Sequence, residues 1–172
     1  MNKNILIFTG NGKGKSTSSF GMALRAAGHN QRIIIIQFMK KNSDIGELVS
    51  LKKLGIDIIQ TGLGFVPKKE NPRYADHVNA AQLGLKVAQQ ALNSGEYDLV
   101  ILDEICGAIA KELLAEKDVI AAIKQASEPI NIVLTGRYAS ARLIDIADTV
   151  SEINPIKHAF DQGIPAREGV EF

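Results

Sequence analysis

Apolar residues along this chain follow two alternating patterns. Apolar runs read as buried strands within residues 5–8, 32–38 and 97–102, and further strands are read at 56–60, 130–134 and 149–153. Between them, apolar residues recur at helical spacing over 18–27, 44–54, from Pro72 to about Asn93, and over 105–114, 117–126 and 140–147. Gly28 is placed to end the first helix, with His29 and Asn30 in the turn. The four isoleucines inside 32–38 suit a strand covered on both faces. Asp44-Ile45-Gly46-Glu47 has capping-box spacing, and Pro72 suits the first turn of the long helix. Residues 61–71 form a loop rich in Gly, Pro and Lys, and the tail beyond 153 reads as a surface segment. Strands alternating with helices predict an α/β fold, a mainly parallel sheet with helices on both faces. In such sheets ligands gather at the carboxyl ends of the strands.

The first strand leads directly into Gly10-Asn11-Gly12-Lys13-Gly14-Lys15-Ser16-Thr17 and then a helix. That layout is a phosphate-binding loop, so the fold is expected to be a single-domain P-loop NTPase-like (RecA-like) one over residues 1–172. Glycines let the backbone curl so that several N–H groups point inward. The helix start adds unpaired donors and partial positive charge. Lys15 would serve as a point charge on the phosphates and Ser16 as a magnesium ligand. The loop departs from the usual spacing. Thr9 stands where the first glycine is expected; counted from Gly10, the loop is one residue short, and it carries a second lysine, Lys13. The alternative, a glycine-rich turn ending in a helix cap, fits the flanking strand and helix poorly.

Composition narrows the classes. The 172 residues suffice for one domain with a sizeable core. A net charge of +1 gives no global basic footprint, so no nucleic-acid partner is expected. A single cysteine, Cys106, cannot form an internal disulfide, which suits a reducing cytoplasm. No apolar run approaches the roughly 20 residues of a membrane span, and the first strand begins too early to leave room for a signal peptide.

Other residues carry two readings each. Asp103 and Glu104 follow the apolar run ending at Leu102. They could complete a magnesium shell with Ser16, or simply favour a helix N-terminus. The loop tips the balance to the metal; the sequence does not separate the two carboxylates, and Glu104 is the expected ligand. Arg137 suits phosphate oxygens or an ion pair. Lys13 is a second phosphate contact or a solvated loop lysine. Capping explains Asp44 and Glu47 fully. Phe65, in Gly62-Leu63-Gly64-Phe65, could cover a flat ligand or enter the core, and spacing favours the core. His29, His77 and His158 share no metal-ligand spacing, and Cys106 reads as a small buried apolar residue. The residues alone therefore imply a magnesium-dependent nucleotide-triphosphate protein, with the transferred group undefined.

Several segments together resemble the P-loop corrinoid adenosyltransferases. They are residues 9–17, Arg25-Ala26-Ala27-Gly28-His29, Gln37-Phe38-Met39-Lys40, Gly46-Glu47, Gly62-Leu63-Gly64-Phe65, Leu102-Asp103-Glu104, Thr135-Gly136-Arg137, residues 147–152 and Lys157-His158-Ala159-Phe160-Asp161. They run in the family's order and cover nearly the whole chain. The resemblance implies transfer of the 5′-deoxyadenosyl group of ATP to the cobalt(I) of a corrinoid, with release of inorganic triphosphate. It implies that residues 10–17 and Arg137 bind ATP in a reversed sense, that Ser16 and Glu104 or Asp103 hold Mg2+, and that Gly64, Phe65, Lys157 and His158 face the corrinoid. Phe65 matches an aromatic that helps displace the lower axial cobalt ligand. A homodimer and a flavodoxin-like reductant are family expectations. An ordinary P-loop kinase or ATPase, or a nucleotide-regulated corrinoid carrier, are the competing readings. Three departures stand out. The first strand is expected to begin without the N-terminal extension frequent in the family, Pro67 occupies a frequent aromatic position, and Ser16 replaces a usual threonine.

Overall fold

The four isoleucines at 33–36 divide evenly between two cores. Ile34 and Ile36 pack in one cluster, Ile33 and Ile35 in the other. Alternate residues of an extended strand point to opposite faces, so this run demands cover on both sides. Each such burial contributes about 1.5–3 kcal/mol, which makes this strand a major source of stability. The computed structural model describes residues 3–41 and 45–170. Its strands are β1 (Asn4–Thr9), β2 (Ile33–Gln37), β3 (Asp57–Gln60), β4 (Leu99–Asp103), β5 (Asn131–Thr135) and β6 (Thr149–Glu152). They form one sheet in the order β3-β2-β4-β5-β1-β6, every neighbouring pair parallel. All six carboxyl ends therefore lie along one edge.

The helices are α1 (Lys15–Ala27), α2 (Gly46–Lys53), α3 (Tyr74–Asn93), α4 (Ile105–Ala110), α5 (Glu116–Gln125) and α6 (Ala141–Asp145). On one face, Phe20, Ala23 and Ala26 of α1 and Leu51 of α2 meet Ile33, Ile35, Ile101 and Val133. On the other, Leu85 and Leu92 of α3 and Val119 and Ile123 of α5 cover Ile34, Ile36, Leu102 and Leu134. Every strand and helix expected from the apolar pattern is present, with shifted ends. α1 begins at Lys15 rather than near Ser18, because Gly14 at φ 115° turns the chain straight into the helix. α4 stops at Ala110 rather than near Leu114. Glu112 takes a left-handed φ of 57°, and the reversal carries Leu113 and Leu114 into the core. Of the capping box, Asp44 lies outside the described residues, while Glu47 stands in the first turn of α2. The edge strand β6 is exposed along its whole length.

Candidate active site

The turn after β1 is held from behind by the chain that leaves β6. Ile153 donates its N–H to the Thr9 carbonyl at 2.8 Å and accepts from Gly12 N–H at 2.7 Å. A Cβ on Gly10 or Gly12 would come within 2.4 or 2.7 Å of the Ile153 oxygen, so both positions are confined to glycine by this backbone. Gly12 N–H is consequently committed to the protein rather than to a ligand. Gly14 differs: its φ is 115° and open space surrounds it. From there the first turn of α1 presents its N–H groups without a side-chain cap and without an acidic residue. The first turn of α5, by contrast, carries Glu116 and Asp118. An uncapped helix start preceded by a glycine turn is suited to an anion.

Lys15 lies at that start and is buried. Its ammonium donates to the Gly12 carbonyl three residues back, at 2.7 Å. Burial pushes its pKa below the ordinary lysine value; Glu104 and Asp103 pull it back up, and Arg137 adds to the depression. These four groups thus share one electrostatic neighbourhood.

Its centre is Asp103, at the carboxyl end of β4 and 0% exposed. Oδ1 accepts from the Ser16 hydroxyl and from the Thr135 hydroxyl, each at 2.7 Å. Oδ2 accepts from Gln37 Nε2 at 2.9 Å and from the Lys40 ammonium at 3.2 Å. Gln37 is fixed in turn by Gln60 Nε2 at 2.8 Å. Strand ends β2, β4 and β5 and the start of α1 therefore converge on one carboxylate. A buried charge with every lone pair engaged is the arrangement that burial requires.

Glu104 follows with a left-handed φ of 64°, its N–H donated to Thr135 Oγ1 at 2.9 Å. Its carboxyl is raised above the ordinary carboxylate range, first by burial and then by the neighbouring Asp103 charge; Lys40, Lys15 and Arg137 oppose the rise. A second carboxylate in so crowded a place favours a cation. Ser16, Asp103 and Glu104 supply only hard oxygens, the donor type magnesium prefers. Among the described residues no group of three or more His, Cys, Asp and Glu could hold a metal alone. The residues fit a magnesium ion whose shell is completed by phosphate and water.

Beside this centre opens a cavity of about 600 Å³, lined among others by Lys40, Gly64, Glu104, Arg137 and Tyr138. Arg137 is exposed on it and makes no hydrogen bond or ion pair among the described residues. Phe65 is 93% exposed, so the spacing-based expectation of a core position is overturned. Val66 enters the core instead, at 5% exposure. Phe65 lies in a bend with Gly64 at a positive φ of 88°, and the chain leaves that bend with Val66 inward and Phe65 outward. The loop itself is anchored on the end of β2. Thr61 N–H and Gly62 N–H donate to the Gln37 carbonyl, and Gly64 N–H donates to the Met39 carbonyl at 3.1 Å. Lys157 and His158 stand elsewhere. They line a cavity of about 260 Å³ with Lys13, Phe160 and Pro165, on the tail side of the loop. The structure thus brings Gly64, Glu104 and Arg137 to one cavity, and Lys13, Lys157 and His158 to another. Cys106 is buried, its thiol pushed up to about 12 chiefly by burial.

Sequence reasoning missed Gln37, Lys40 and Thr135 as partners of Asp103. The strand-end rule does bring Gln37 and Thr135 to the edge of Asp103 but does not pair them with it, and Lys40 lies beyond the end of β2. It also missed Tyr138, exposed on the cavity rim at a φ of 62°, which no motif marks.

Comparison with known proteins decides the family. Residues 2–172 match the model of the ATP:corrinoid adenosyltransferase family BtuR/CobO/CobP. The chain belongs to this family. It is 34% identical over 168 residues to the corrinoid adenosyltransferase of Escherichia coli K12, covering 98% of this chain and 85% of that protein. Corrinoid adenosyltransferase CobA of Salmonella typhimurium is 36% identical with the same coverage. The Pseudomonas aeruginosa corrinoid adenosyltransferase is 38% identical over 170 residues, covering 98% of this chain and 83% of that protein. Among solved structures, the KaiC-like protein PH0186 of Pyrococcus horikoshii shares the fold, with a TM-score of 0.57 at 14% identity over 91% of this chain and 74% of that one. Membership makes this chain a transferase of the corrinoid-adenosylating kind on a RecA-like P-loop fold. Among the described residues no helix is long and apolar enough to cross a membrane.

Proposed function

We propose that this protein transfers the 5′-deoxyadenosyl group of ATP to the cobalt(I) of a corrinoid and releases inorganic triphosphate. The match of the family to the whole chain carries this reading. In the reaction a cobalt–carbon bond forms at C5′ of the ribose. The C5′–oxygen bond breaks, and its electron pair leaves with the triphosphate. The nucleophile belongs to the substrate, so the protein needs no general base.

The roles of the residues follow. Backbone N–H groups of residues 13–17 receive the triphosphate at the start of α1, and Lys15 exchanges the Gly12 carbonyl for phosphate oxygens. Arg137 and Lys13 add positive charge from two sides. Ser16 and Glu104, with Asp103 behind Ser16, would hold Mg2+, which would supply charge screening for the triphosphate leaving group. Gly64 and Phe65 face the corrinoid, and Phe65 helps remove the lower axial cobalt ligand. Lys157 and His158 act from the tail side, beside Lys13. The reversed triphosphate, the homodimer, the cytoplasmic setting and a flavodoxin-like electron donor belong to this same reading.

The test is direct. Protein, ATP, magnesium and chemically reduced cobalamin are combined without oxygen, and the phosphate product is identified. Inorganic triphosphate together with a light-sensitive cobalt–carbon product supports the proposal. ADP would assign the site to terminal-phosphate chemistry, and binding without turnover would make the protein a carrier.

A further inference from the structure

Lys40 lies just beyond the end of β2, and its ammonium occupies the one place in the site where a second cation should not be. It stands 3.2 Å from Asp103 Oδ2 and 3.3 Å from Ser16 Oγ, with the Phe20 ring 5.6 Å away at its centroid. Ser16 is a group that the magnesium reading assigns to the ion, and Asp103 is the carboxylate that orients it from behind. A magnesium ion sits about 2.1 Å from its oxygen ligands and demands near-octahedral order. An ion on Ser16 Oγ would crowd an ammonium already within hydrogen-bond reach of the same atom, and the two positive charges repel. Both cannot hold their places.

The two lysines of the site differ in what detains them. Lys15 rests on a neutral carbonyl, Gly12 O, which no metal needs. Lys40 rests on the hydroxyl that the metal needs and on the carboxylate behind that hydroxyl. Lys40 is also free to leave. Its side chain is 31% exposed, it borders the open cavity, and a four-carbon stem lets the ammonium swing. Asp103, by contrast, is 0% exposed and cannot follow it. Of the described cations around the two carboxylates, Lys40 is the one in direct contact with Asp103.

We propose that Lys40 is a built-in counter-ion, holding the cation seat between Ser16 and Asp103 in the nucleotide-free protein and moving onto the triphosphate when metal–ATP binds. The second half rests on the nucleotide reading given above; the first half does not. The consequence is an order of events. The divalent ion is disfavoured alone and enters with the nucleotide, whose phosphates give the displaced ammonium somewhere to go.

The test uses Lys40→Met, which keeps the length of the side chain and removes the charge. Mn2+ binding to the nucleotide-free protein is titrated by electron paramagnetic resonance. The dissociation constant is expected to fall about tenfold relative to wild type, the scale of one charge-assisted contact. In EDTA, the affinity for metal-free ATP is expected to weaken, because a phosphate contact is gone. Lys111→Met removes a charge from the same cavity without touching Ser16 or Asp103, and both constants should stay within about twofold. An unchanged Mn2+ affinity in Lys40→Met, or an equal shift in Lys111→Met, overturns the proposal. Should Lys40→Met fail to fold, Lys40→Gln takes its place with the same expectation. Neither titration involves a corrinoid, so a failed adenosylation assay leaves the Mn2+ result standing on its own.

Discussion

Asp103 and Phe65 lie near the same edge of the sheet and are built on opposite terms. Asp103 is buried with four donors around its two oxygens, drawn from β2, β5, α1 and the residue Lys40. Phe65 is 93% exposed, on a loop whose backbone is anchored while the ring touches nothing that holds it. On the proposed reading, the first region is preorganised for polyphosphate and a metal, whose charges need fixed partners in low dielectric. The second leaves apolar surface uncommitted, as a site must when its ligand supplies the cover. One region is thus fixed by the fold itself, and the other is left open to solvent.

The comparison is broken most severely at Asp103. Asp103→Ala leaves the Lys40 charge without its carboxylate and strips Ser16, Thr135 and Gln37 of an acceptor. Removing one partner of a buried charged network costs about 3–5 kcal/mol. Urea unfolding should show that loss as a lower midpoint with little change in slope. A midpoint equal to wild type would mean that the network is incidental to the fold.

Lys15→Ala acts on binding instead. The lysine spends its hydrogen bond on its own loop, so the fold loses little. The ATP complex loses a charge-assisted contact of roughly 1.5–3 kcal/mol, or about ten- to a hundredfold in affinity. Calorimetric titration with magnesium–ATP measures it, and unchanged affinity would remove the loop from the nucleotide site.

Much of this was readable in the chain, and the omissions have physical reasons. Sheet and helices follow from periodicity, because strands buried on both faces leave unbroken apolar runs such as 33–36. The loop and the Asp103-Glu104 pair follow from local spacing. What was hidden depends on non-local register. Gln37 meets Asp103 because β2 and β4 pair with those two residues opposite one another, and no local pattern encodes that. Phe65 was misread for a related reason: only the core can decide which of two adjacent apolar residues it takes, and it took Val66. Ile153 explains Gly10 and Gly12 from more than 140 residues away in sequence.

Glu104 sits between the two regimes and should show it through pH. Its carboxyl titrates above the ordinary range because of burial and the Asp103 charge. A carboxyl whose folded value exceeds the unfolded one contributes stability that is complete below the unfolded value. That contribution is lost as pH rises through the folded value. Above the unfolded value that contribution is missing, so Glu104→Gln should melt higher than wild type at neutral pH. The gap should close toward pH 4. If Glu104 holds the metal as proposed, metal-assisted ATP binding should change in the other direction, since the ion would need the ionised carboxylate. It should weaken in wild type as pH falls, starting above the ordinary glutamate range, and be weaker and flatter in Glu104→Gln. A variant that melts lower than wild type at neutral pH would show that Glu104 is a structural ion-pair residue.

The smallest effect on stability is expected at Phe65, and that smallness is informative. A side chain 93% exposed has almost no packing to lose, so Phe65→Ala should unfold within about 0.5 kcal/mol of wild type. If the ring serves the corrinoid by removing its lower cobalt ligand, the deletion should act only where that ligand matters. Cobalt(I) supplied ready-made has already lost the ligand; cobalt(II) must shed it before it accepts an electron easily. Adenosylation starting from cobalt(II) should therefore fall more than adenosylation from chemically prepared cobalt(I), both followed by the light-sensitive product. Equal losses would make Phe65 a general contact surface. A loss of stability with both rates intact would return it to the packing role that its spacing first suggested. The contrast with Asp103→Ala is then complete in one pair of variants, one that damages the fold and one that spares it while disabling the reaction from cobalt(II).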